Sequence, residues 1–100
     1  MKKKKPIICI MDLEKDRCLR EEKALENVVR DRGLNVIATA SYGEGHITRS
    51  GCEGPYPTIE VEGLFFHGPN PGEELTEAML HNFMDMLIRK GVIEPGPGGA

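Results

Sequence analysis

Tryptophan is absent, and only two tyrosines and three phenylalanines occur, so aliphatic residues and methionine must supply the core. No apolar run approaches the ~20 residues needed to span a bilayer. Residues 7–11 are too short to be the apolar region of a signal peptide behind the basic start. The spacings C-x-x-C, H-x-x-x-H and the nucleophile elbow are all missing, which argues against a self-contained dithiol, a helical zinc site and a hydrolase triad. The glycines at 43, 45, 51 and 54 lack the spacing of a dinucleotide cradle. Only three cysteines occur, Cys9, Cys18 and Cys52, an odd set that makes no secreted disulfide framework. A cytoplasmic location without membrane insertion is the expectation. Blocks of like charge are also few: Lys2 to Lys5 is the one basic run, and it reads as a solvated tail. The net charge of −3 argues against a nucleic-acid surface.

One hundred residues allow one domain with a single modest core. The expected division is a basic flexible tail over 1–5, the domain over 6–93, and a disordered Pro/Gly tail over 94–100. Residues 6–12 form a short apolar run after a breaker and predict a buried strand. Asp16 is placed as a helix N-cap, with Cys18 in the first turn. Leu25, Val28 and Val29 give that helix an apolar face to about Arg32, and Gly33 stops it. Residues 34–40 predict a second strand, parallel to the first. Residues 41–54, with four glycines, predict a long loop of the kind that carries function. Residues 58–62 alternate as a half-buried strand, Gly63 turns the chain, and residues 64–67 return it as a hairpin. Glu73 and Glu74 are placed at the opening of a second long helix, with Leu75, Met79, Leu80, Phe83, Met86 and Leu87 facing inward and Gly91 as its stop. The resulting class is α/β: a thioredoxin-like β-α-β-loop-β-β-α order, with a mixed four-stranded sheet and two main helices.

The residues able to carry chemistry are few. A cysteine in the first turn of a helix can be held as thiolate by the dipole, and Arg17 and Arg20 lie beside Cys18; the alternative is a structural thiol. Cys9, between Ile8 and Ile10, reads as a small packing residue. Cys52 precedes two prolines in the glycine-rich loop and is either functional or incidental. His46, on the same loop, is either solvated or within reach of a metal or thiol, whereas His67 and His81 read as structural or exposed. Phe65 and Phe66 alternate on a hairpin arm, so one ring points outward and marks a candidate partner surface.

Cys52-Glu53-Gly54-Pro55 before a strand, Gly63-Leu64-Phe65-Phe66-His67-Gly68 after it, Pro71-Gly72-Glu73-Glu74-Leu75 leading to a helix, and Ile8-Cys9-Ile10-Met11-Asp12 at the start span nearly the whole chain. In these motifs the sequence resembles the thioredoxin-like [2Fe-2S] ferredoxins. The resemblance implies an electron-transfer protein or redox subunit, with Cys9, Cys18 and Cys52 as cluster ligands. The family uses four thiolates, and His46 is the substitute available for the missing one. A second resemblance, to thioredoxins, rests on Cys18 after the first strand and on Pro57-Thr58, which looks like the cis-proline step shaping a substrate groove. It implies a monothiol exchange protein with Cys18 as nucleophile. A third reading is a cluster-free relative that keeps the fold as a docking subunit. A protein redox partner is the expectation, and a homodimer is left open.

Overall fold

A computed structural model of the chain describes residues 5–49, 51, 54–68 and 70–96, with His46 described in its backbone alone. The elements run β1 (Ile7–Met11), α1 (Lys15–Arg32), β2 (Ile37–Ser41), α2 (Glu44–Arg49), β3 (Thr58–Val61), β4 (Leu64–His67) and α3 (Glu77–Arg89). One four-stranded sheet has the order β2-β1-β3-β4. β1 runs parallel to β2 and antiparallel to β3, and β3 and β4 form an antiparallel hairpin. This is the expected α/β architecture, compatible with a thioredoxin-like fold.

Alternation along the strands divides the sheet into two unlike faces. Ile8 and Ile10 of β1 and Ile59 and Val61 of β3 point to one side. There they pack with Leu25 and Val28 of α1 and Leu80, Met84 and Leu87 of α3. Met11 points to the other side, where Ile47 of α2 covers it and Cys9 and Tyr56 pack alongside. α1 and α3 are also tied to each other by Asn27–Glu77 at 2.9 Å and by Arg32–Asp85, and Arg20–Glu74 at 2.9 Å ties α1 to the connection before α3.

The helix boundaries depart from the sequence expectation for identifiable reasons. α1 is capped by Glu14, whose carboxylate accepts the Arg17 N–H at 2.8 Å, and not by Asp16. The chain turns directly after β1 because Asp12 Oδ1 accepts the Glu14 N–H at 3.1 Å. The helix therefore starts early, and Asp16 becomes a first-turn acid at its positive end. At the other end Gly33 adopts φ 62°, its N–H reaching Arg30 O while Leu34 N–H reaches Val29 O. Leu34 is thus spent on closing the helix, and β2 begins later than predicted.

The segment read as one long loop contains α2, six residues with a single buried apolar side chain, Ile47. α3 opens later than predicted, at the cap Thr76, whose Oγ1 accepts the Met79 N–H at 3.2 Å. Glu73 and Glu74 stand outside it, paired with Asn70 and Arg20. The hairpin turn places both Glu62 (φ 51°) and Gly63 (φ 83°) in the left-handed region, as a tight two-residue β-hairpin requires. Among the described residues, no helix is long and apolar enough to cross a membrane.

Candidate functional site

Asp12 follows β1 directly and Arg17, Cys18 and Glu21 share one face of α1, so the turn between these elements brings four reactive side chains together. Asp12, Cys18 and Glu21 are all 0% exposed. Arg17 donates to both Asp12 oxygens, Nε to Oδ2 at 2.6 Å and Nη2 to Oδ1 at 2.7 Å. Its remaining nitrogen, Nη1, donates to Gly72 O at 2.6 Å, linking α1 to the connection before α3. Glu21 reaches the same connection, where Oε2 accepts the Leu75 N–H at 2.9 Å. The other oxygen, Oε1, is buried with no donor to receive.

Burial sets the protonation state of this carboxyl. Burial pushes the Glu21 carboxyl up to about 8, and its hydrogen bond to Asp12 and the Asp12 charge push the same way. Glu21 is therefore mostly a neutral acid at pH 7, beside the Asp12 carboxylate. Burial alone would raise Asp12 too. The hydrogen bonds from Arg17, from Glu21 and from the Glu14 N–H outweigh it and hold Asp12 below its ordinary value. The result is a buried acid–carboxylate–guanidinium chain, with Glu21 Oε1 its one buried oxygen lacking a partner among the described residues.

Cys18 lies within this cluster. Its thiol is pushed up to about 12, first by burial and then by the negative charges of Asp12 and Glu21. Its Sγ donates to Ser41 O at 3.6 Å, and its N–H already bonds Glu14 O at 2.9 Å. The early helix start sets Cys18 a full turn inside α1, away from the unpaired amides that would favour a thiolate. The direction is opposite to that expected of a helix-terminal nucleophile.

Pro57 is buried just before β3, and the Met11↔Thr58 register brings it level with Asp12. Both Gly54-Pro55 and Tyr56-Pro57 are cis peptide bonds. Thr58 Oγ1 donates to Pro55 O at 2.8 Å, and His67 Nδ1 lies 3.0 Å from that hydroxyl. Cys52 and the His46 side chain lie outside the described residues.

The two described thiols lie on different faces of the sheet. Cys9 alternates with Ile8 and Ile10 and packs with Met11, Ile47 and Tyr56 on one face of the sheet. Cys18 is enclosed in the core on the opposite face. The sheet stands between these two. Among the described residues, no group of three or more His, Cys, Asp or Glu could hold a metal ion.

Asp12 and Glu21 were not singled out from the sequence, and Arg17 only as charge beside Cys18, although a signal for Glu21 is there. It occupies the apolar stripe of α1, three residues after Cys18 and four before Leu25, where a carboxyl must be buried. Compared with protein-family models, curated proteins and solved structures, the chain matches none.

Proposed function

We propose that this chain is a cluster-free thioredoxin-like docking subunit. It acts by presenting the outer arm of its β-hairpin to a protein partner, without iron–sulfur or thiol chemistry of its own. The observation that carries the reading is the separation of the described cysteines, Cys9 on one sheet face and Cys18 enclosed on the other. The end of the fold where thiol chemistry was expected holds the buried Asp12–Arg17–Glu21 cluster, whose negative charges together with burial push the Cys18 thiol up. Apolar side chains stand out on β4, where Leu64 is 51% and Phe65 36% exposed.

The reading is tested by anaerobic purification and reconstitution with iron and sulfide. Colourless protein with slow alkylation of Cys18 at neutral pH is expected. Stoichiometric iron with [2Fe-2S] absorbance, or rapid alkylation of Cys18, overturns it. Serine substitutions at Cys9 and Cys52 should leave complex formation intact, whereas Phe65→Lys should weaken it.

A further inference from the structure

β4 is an edge strand, since the sheet order ends with it. Edge strands are usually blunted by lysine, proline, a bulge or a covering element. β4 reads Leu64-Phe65-Phe66-His67 and carries none of the first three; among the described residues nothing pairs with its outer side. The tight turn decides which of its groups are free. In a two-residue hairpin the pair flanking the turn, Val61↔Leu64, is hydrogen-bonded, so Leu64 and Phe66 direct their backbone groups at β3. Gly68 continues this alternation, its N–H reaching Pro57 O at 3.5 Å. Phe65 and His67 therefore turn their N–H and C=O outward.

On the helix side, a groove of about 320 Å³ opens between β4 and α3. Its walls include Phe66, Gly68, Leu75, Met79 and Phe83, with the Phe66 and Phe83 rings edge-to-face at 5.1 Å. Leu64 shares this side, because it lies opposite Val61, yet it stays half exposed at the hairpin tip.

We infer that the occupant of this edge is a second copy of the chain, paired β4 to β4, antiparallel, about a two-fold axis. This inference rests on the docking reading and names its partner. One register uses every outward group of the strand: Phe65 opposite His67 of the second copy, with Phe66 at the axis. It joins the two sheets through about four backbone hydrogen bonds. The same register sets Leu64 of each copy opposite Gly68, which has no side chain, so Leu64 enters the groove beside Phe66. Charge agrees with self-pairing. β4 carries no acidic, lysine or arginine side chain, and His67 is turned to Thr58 and Pro55, so two copies of an acidic protein meet there without repulsion. The other edge, β2, offers less area to bury, since Ala38, Thr39 and Ala40 are small and only Ile37 is a large exposed side chain.

Sedimentation velocity of the full chain from micromolar to millimolar concentration tests the inference. The wild type is expected to form a dimer. Phe65→Pro removes an outward N–H together with the Phe65 ring and spares the N–H and C=O groups that Leu64 and Phe66 direct at β3, and it should weaken the dimer by more than about tenfold. Leu64→Asp, which puts a charge at the groove, should dissociate it, while Ile37→Asp on β2 should not. Circular dichroism of each variant separates dissociation from unfolding. A wild type that stays monomeric throughout, a dimer indifferent to Phe65→Pro and Leu64→Asp, or one dissociated by Ile37→Asp overturns the inference. A colourless monomer would remove this partner and leave the cluster-free reading in place. A dimer that takes up a cluster would do the reverse.

Discussion

Replacing Glu21 with glutamine should abolish most of the pH dependence of stability between about pH 5 and pH 8. Glu21 is 0% exposed, and burial beside Asp12 raises its carboxyl from 4.5 to about 8. The folded chain thus keeps a proton that the unfolded chain releases. The stabilisation from this group is fully present below 4.5 and is lost as pH rises through about 8. At ~1.4 kcal/mol per pH unit between those values, the wild type should lose about 3–4 kcal/mol from pH 5 to pH 8. That is a large share of the ~5–15 kcal/mol typical of a folded domain. Asp12 acts at the other end. Its carboxyl is held below the ordinary 3.8, so its stabilisation is present above that value and lost as pH falls. Together the pair sets the stability optimum at about pH 4–5. Glutamine resembles the protonated acid, since its carbonyl can still accept the Leu75 N–H and its amide can donate to Asp12. Urea unfolding followed by circular dichroism across this range should show a steep fall for the wild type and a nearly flat line for Glu21→Gln, which becomes the more stable of the two at pH 8. A flat wild type, or a glutamine variant that keeps the slope, would refute the buried-proton argument.

Other perturbations test the neighbouring parts of the structure. Arg17→Met strips the buried Asp12 carboxylate of its counter-charge and should cost about 3–5 kcal/mol near pH 7; urea unfolding that shows under ~1 kcal/mol would remove Arg17 from the network. Thr76→Ala removes the cap of α3 and should lower stability by about 1 kcal/mol, with the denaturant slope unchanged. Met84→Ala empties a fully buried position between α3 and the sheet and should cost about 2–5 kcal/mol; a thermal melt unchanged within error would contradict its place in the core.

The order of strands and main helices was legible because each rests on local rules. Ile8 and Ile10 alternate with Cys9, Leu25 and Val28 recur at helical spacing, Gly33 stops α1, and Gly63 turns the hairpin. The short helix α2 was not legible, since six residues with one buried side chain, Ile47, carry no periodic signal. Nor was the start of α3, because two acids followed by Leu75 and Thr76 look like a helix opening until Glu74 is seen paired with Arg20. The site was read through its cysteines, the residue type that sequence motifs emphasise. Their chemistry depends on surroundings that spacing does not report.

By itself, the chain's pattern of apolar residues, glycines and prolines determined an α/β domain with a parallel pair, a hairpin and two long helices, because such periodicities act within a few residues. Tertiary structure alone decided that Cys9 and Cys18 fall on opposite faces of the sheet, since strand alternation and helix docking jointly set where each sulfur lies. It also decided that Glu21 carries a proton. Only when α1 closes over the end of β1 do Asp12, Arg17, Leu75 and Glu21 meet out of water, and desolvation then outweighs the ordinary preference of a carboxyl for its charge.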